Sequence, residues 1–127
     1  MIKDFLILNC IGKENKIGLR LKNNFYIHEL DKIINKNDQL VSNILNLLKK
    51  YKVILNNKFS ILVNTGPGSF SSIRTSISVA KGMKISKNIK IYAFHNSDLK
   101  QFDLVNIELL ITKGLLQNKL IKPIYLS

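Results

Sequence analysis

The chain is poor in several residue types, and each scarcity excludes something. Its one cysteine, Cys10, rules out a disulfide framework and suits a reducing, cytoplasmic compartment. The two histidines, His28 and His95, form no H-x-x-x-H pair and have no Cys or acidic companion at metal-ligand spacing. His28, beside Glu29, reads as a half-exposed strand residue. The eight acidic residues include no paired motif for general acid–base work. No apolar run reaches the roughly 18 residues of a membrane-spanning helix. The opening segment MIKDFLILNC has Asp4 inside its apolar run and no small-residue cleavage site, so it reads as a strand and not a signal peptide.

Charge is plentiful, but of one sign. The net charge is +12, carried by eighteen lysines and only two arginines, Arg20 and Arg74. Such a balance invites a nucleic-acid reading. Phosphate readers favour arginine, whose planar fork makes bidentate contacts. The lysines are scattered along the sequence and accompany abundant Asn and Ile. They read as a solvated surface, with a non-specific tRNA contact as the alternative.

At 127 residues, 46% of them hydrophobic, the chain is one domain with a core of its own. Asp4–Cys10, Ile17–Leu21 and Phe25–Leu30 read as three strands of an antiparallel meander, with Asn23-Asn24 as a tight turn. Asn35 to Asp38 offers capping side chains for a helix over Gln39–Tyr51. Leu40, Ile44, Leu47, Leu48 and Tyr51 mark one helix face, with Val41 and Leu45 beside them. That arc spans about 160° at 100° per residue, wider than one sheet contact needs.

Lys58–Thr65 is a near-continuous apolar strand, which implies cover on both faces. A second helix over Phe70–Ser86 and a strand over Ile89–Phe94 follow. Beyond them, Ser97 is a candidate cap for a short helix. Val105–Thr112 reads as a further strand and KPIYLS as an extended tail. No internal repeat or low-complexity linker is visible.

The order β-β-β-α-β-α-β predicts an α/β fold with a five-stranded mixed sheet and flanking helices. It is one lobe of the actin-like, Hsp70-like architecture, over residues 1–96. Residues 97–127 then form a short remnant of a second lobe, which is largely absent, and a C-terminal tail.

The segment ILVNTGPGSFSSIRTSISVAKGM joins an apolar strand to a helix through a glycine loop. Such a loop binds phosphate when free N–H groups and a helix dipole converge. Here no Lys-Ser/Thr follows at P-loop spacing, and Pro67 removes one donor. Gly66, Pro67, Gly68 and Ser69 therefore read as a structural loop. Its glycines supply unusual dihedrals, and Ser69 or Ser71 caps the helix. Strand one ends Leu8-Asn9-Cys10. Nucleotide-binding lobes of this architecture place an aspartate there; Asn9 supplies no carboxylate and reads as a turn or cap residue. Cys10 reads as a small core residue, not a nucleophile.

VNTGPGSFSSIRTSISVAKGM resembles the signature of the TsaB (YeaZ) family, close to GPGSFTGLRIG-x-x-x-AKGL. Gly66, Pro67, Gly68, Ser69, Phe70, Arg74, Ala80, Lys81 and Gly82 occupy matching positions. The tail KPIYLS is similar to the family's P-x-YLR, with Ser127 in place of arginine. The chain departs at Asn9-Cys10-Ile11, where the family has Asp-Thr-Ser, and at Ser72, where it has glycine. It looks like a minimal form of the family.

The resemblance implies a non-catalytic scaffold subunit in synthesis of N6-threonylcarbamoyladenosine at position 37 of ANN-decoding tRNAs. The partner implied is a TsaD-like paralogue, which holds metal and nucleotide. A TsaE-like ATPase is a third component, tRNA is met indirectly, and the chain homodimerises when alone. It implies no cofactor or metal on this chain and no membrane. It also implies pairing through the two helices of the lobe. On the second helix, Ser72, Ser76 and Ala80 recur at i, i+4, i+8, and Ile73, Ile77, Val79 and Met83 flank them. Small residues admit a close helix and apolar flanks supply burial. The candidate partner-binding residues are Val41, Leu45, Leu48, Ile73, Ser76, Ile77 and Ala80. The competing readings are intramolecular core for both stripes, a small phosphate- or nucleotide-binding enzyme of the actin-like fold, and a basic tRNA-binding module.

Overall fold

The computed structural model describes residues 2–11, 14–30, 36–67, 70–119 and 121–122. Its strands are β1 (Phe5–Ile11), β2 (Glu14–Leu21), β3 (Asn24–Glu29), β4 (Ser60–Asn64) and β5 (Lys90–Phe94). Its helices are α1 (Lys36–Lys50), α2 (Phe70–Lys87) and α3 (Leu104–Thr112). The strands form one sheet in the order β3-β2-β1-β4-β5. The meander β1-β2-β3 is antiparallel, while β4 runs parallel to both β1 and β5. This is the mixed five-stranded sheet with flanking helices that the element order predicts.

The hairpin β2–β3 turns on Lys22 and Asn23, with φ of 49° and 71°. Positive φ at both central positions matches the right-handed twist of the flanking strands. The turn therefore sits one residue earlier than the Asn23-Asn24 pair suggests. Leu21 pairs with Asn24 to close it.

Strand alternation splits the core in two. Leu6, Leu8 and Cys10 of β1, Ile61 and Val63 of β4, and Ile91 and Ala93 of β5 join the cluster beneath α1 and α2. Phe5, Ile7, Leu62 and Phe94 join the cluster beneath α3. The near-continuous apolarity of β1 and β4 thus reflects cover on both faces. Tyr26 of β3 stacks on Tyr51, just past α1, at 3.9 Å between ring centroids. On the opposite face Phe25 lies between Phe5 and Phe102, at 6.4 and 6.2 Å. Gly18 makes that placement possible, because a Cβ there would lie 2.6 Å from the Phe25 ring.

Residues 104–112 are a helix, not the strand expected over Val105–Thr112. The β-branched residues there mislead; the end signals decide. The Asp103 side chain accepts the Asn106 N–H at 2.8 Å and caps the helix. Gly114, at φ 67°, stops it, with the Leu115 N–H on the Leu110 carbonyl and the Gly114 N–H on the Ile111 carbonyl. Ile107 and Leu110, three apart, are fully buried on the sheet. Ser97 caps no helix: it lies within a short 3-10 turn, Asn96–Asp98, which His95 precedes. The tail 123–127 lies outside the described residues, as do Gly68 and Ser69.

Candidate functional site

The α1 stripe follows its spacing. Leu40, Ile44 and Leu48 recur every four residues and are buried in the core cluster that strand and α2 residues share. Val41 and Leu45 stand beside them at 42% and 58% exposure. The arc wider than one sheet contact therefore leaves part of itself in solvent.

The centre of the α2 stripe faces inward. Ile73 and Ala80 are fully buried, and Ser76 and Ile77 nearly so. The reason is topological. Helix α2 is the crossover between the parallel neighbours β4 and β5, so it lies flat on the sheet. Ser76 and Ala80 admit the sheet, not a partner helix. Ser76 shares a side-chain hydrogen bond with Cys10 of β1. The partner-facing set named from sequence is therefore corrected. Leu48, Ile73, Ser76, Ile77 and Ala80 belong to the chain's own core, while Val41 and Leu45 are available outside.

Cys10 is buried and free. Burial pushes its thiol up to about 11, against a smaller lowering from the Ser76 hydrogen bond. At neutral pH it carries no thiolate, so it has little nucleophilic capacity.

The glycine loop is pinned by amides. Asn64, the last residue of β4, donates from Nδ2 to Asn9 Oδ1 at 2.7 Å and to Asn96 Oδ1 at 3.0 Å. Its Oδ1 accepts the Gly66 N–H at 2.9 Å. The Gly66 carbonyl accepts the Asn96 N–H at 2.8 Å. Gly66 itself sits at φ 101°, a region that L side chains rarely adopt, and precedes a cis peptide to Pro67. Asn9 is thus neither turn nor cap. It is a buried residue within β1, 3% exposed, and its amide oxygen receives β4. Asn64 and Asn96 are the residues that sequence reasoning missed. The run Asn64-Thr65-Gly66 held the signal, since Asn side chains commonly accept an N–H two residues on. Among the described residues, no three of His, Cys, Asp or Glu gather to hold a metal. No described helix is long and apolar enough to cross a membrane.

No protein-family model matches the chain, and no curated protein matches it. Solved structures do. YeaZ from Pseudomonas aeruginosa superposes with a TM-score of 0.65 at 20% identity, over 88% of this chain and 50% of that one. The fold is that of YeaZ. A second structure, an uncharacterized protein with similarity to peptidase YeaZ from Pseudomonas aeruginosa, gives a TM-score of 0.66 at 19% identity, again over 88% and 50%. The chain therefore spans about half the length of the YeaZ structures it matches. The segment 61–83, which carries the resemblance in sequence, contributes most of β4 and of α2.

Proposed function

We propose that this chain is a TsaB-type partner subunit, non-catalytic itself, acting beside a TsaD-like paralogue in threonylcarbamoyladenosine synthesis on tRNA in the cytoplasm. The YeaZ-like fold and the glycine-loop signature support the family reading. The observation that carries the pairing is the outward apolar pair on α1, Val41 and Leu45, beside a helix that buries Ile73, Ile77 and Ala80 in the chain's own core. Side chains of this kind bury favourably against an apolar partner, at about 25 cal/mol per Å². The Asn9 amide, tied to Asn64, favours a scaffold over a metal–nucleotide site at the end of β1.

Co-expression with a TsaD-like paralogue, followed by affinity capture and light scattering, tests the reading. A stoichiometric complex is the expected result. A chain that stays monomeric and captures no paralogue would sink it.

A further inference from the structure

The lysines are scattered in sequence, but the topology gathers many of them. β1 starts, β2 ends, and β4 and β5 start at one end of the sheet. Helices α1 and α2 carry Lys49, Lys50, Lys84 and Lys87 in their last turns, which lead toward that end. Three adjoining depressions of about 480, 240 and 540 Å³ cross it. Lys3, Arg20, Lys22, Lys52, Lys58 and Lys90 line them, and Asp4 is common to all three.

The acids of these depressions are Asp4 and Glu108, and both are engaged within the chain. Glu108 Oε1 accepts from Arg20 Nη1 at 2.8 Å. Asp4 Oδ1 accepts the Lys22 N–H at 3.2 Å. The five lysines are exposed. Asn23, Asn56 and Asn57 add exposed amides among them. Helix C-termini attract cations, which accounts for the lysines in the last turns of α1 and α2. It does not account for Lys3, Lys22, Lys58 and Lys90, which stand before β1, in the β2–β3 turn, in the loop before β4 and at the start of β5.

We propose that this end of the sheet docks the phosphate backbone of RNA. Concavity and charge together favour it. A double-helical backbone carries its phosphates on ridges that enter such depressions, whereas a flat bilayer meets only their rims. Lysine ammonium groups bind phosphate as point charges, and binding gains from counterion release. The choice of RNA over DNA rests on the function proposed above.

The probe is bulk tRNA, titrated by fluorescence anisotropy over a range of salt. The wild type is compared with Lys3→Gln/Lys58→Gln/Lys90→Gln and with Lys81→Gln/Lys100→Gln/Lys119→Gln, which removes the same charge elsewhere. The first triple should weaken binding at least about tenfold. It should also flatten the slope of log K against log salt by roughly 2, given about 0.7–0.9 per phosphate contact. The second should do much less. Equal losses in the two triples, or a wild type that does not bind tRNA, would overturn the proposal. So would a DNA duplex of similar length bound as tightly as tRNA, or anionic vesicles that outcompete it. Paralogue capture is scored separately: the first triple should still pair, so a failure of pairing and a failure of RNA docking give different results.

Discussion

Asn64 Nδ2 donates to Asn9 Oδ1 over 2.7 Å, joining two parallel strands by their side chains at the edge of the glycine loop. Both residues are buried, at 2% and 3% exposure. Removing one partner strands a polar group in a site that water does not reach. Asn9→Leu should therefore lower stability by about 1–3 kcal/mol. Changing both residues to leucine should cost less than the sum of the single changes, because neither amide is then left facing a lost partner; the Gly66 N–H loses its acceptor in the Asn64 single variant and in the double variant alike, so it cancels in the comparison. Thermal denaturation of the two single variants and the double variant checks this; strict additivity would show that the bond is inconsequential.

Gly66 gives the loop its path. Its φ of 101° is hostile to a β-branched side chain. Gly66→Val should cost roughly 1–3 kcal/mol. The melting temperature should fall. An unchanged melting temperature with a weakened ligand would make the loop a binding site instead of a support.

Most of the architecture was legible in the sequence, because period and order are local. The meander and the helices α1 and α2 announce themselves by alternation and by four-residue spacing. The face that each helix buries was not legible. On α2 the stripe Ser76, Ile77, Ala80 suits a partner helix and a sheet equally well. Only the crossover between β4 and β5 assigns it inward. Helix α3 was hidden by its β-branched residues, although Asp103 and Gly114 bracket it at cap positions. The Asn9–Asn64–Asn96 contacts join residues far apart in the chain, so no local pattern reveals them together. The gathering of lysines at one end follows from strand direction, which composition does not express.

Cys10 links stability to alkaline pH. Its folded pKa is raised to about 11 from an ordinary value of 9.0, through burial. The folded state then holds the proton longer than the unfolded one. The stabilisation is whole below about pH 9 and is lost as pH rises toward 11. At about 1.4 kcal/mol per unit, the loss is on the order of 2–3 kcal/mol. Denaturant unfolding at stepped pH, wild type against Cys10→Ala, isolates this from lysine and tyrosine titration. Parallel curves for the two proteins would refute the coupling.

Leu45 and Ala80 separate surface from core on the two helices. Leu45 is 58% exposed and Ala80 fully buried. Leu45→Glu places its charge in water, so the monomer should keep its melting temperature within about 0.5 kcal/mol of stability, as surface changes do. The same charge would be desolvated and unpaired in a dry contact with a partner. Association should weaken by several kcal/mol. Ala80→Glu forces a carboxylate between α2 and the sheet, and the chain should not fold. Circular dichroism, light scattering and paralogue capture on both variants give the contrast. A folded Leu45→Glu monomer that still captures its partner at full strength would place the contact on another face. A folded Ala80→Glu protein would mean that α2 turns its small stripe outward after all.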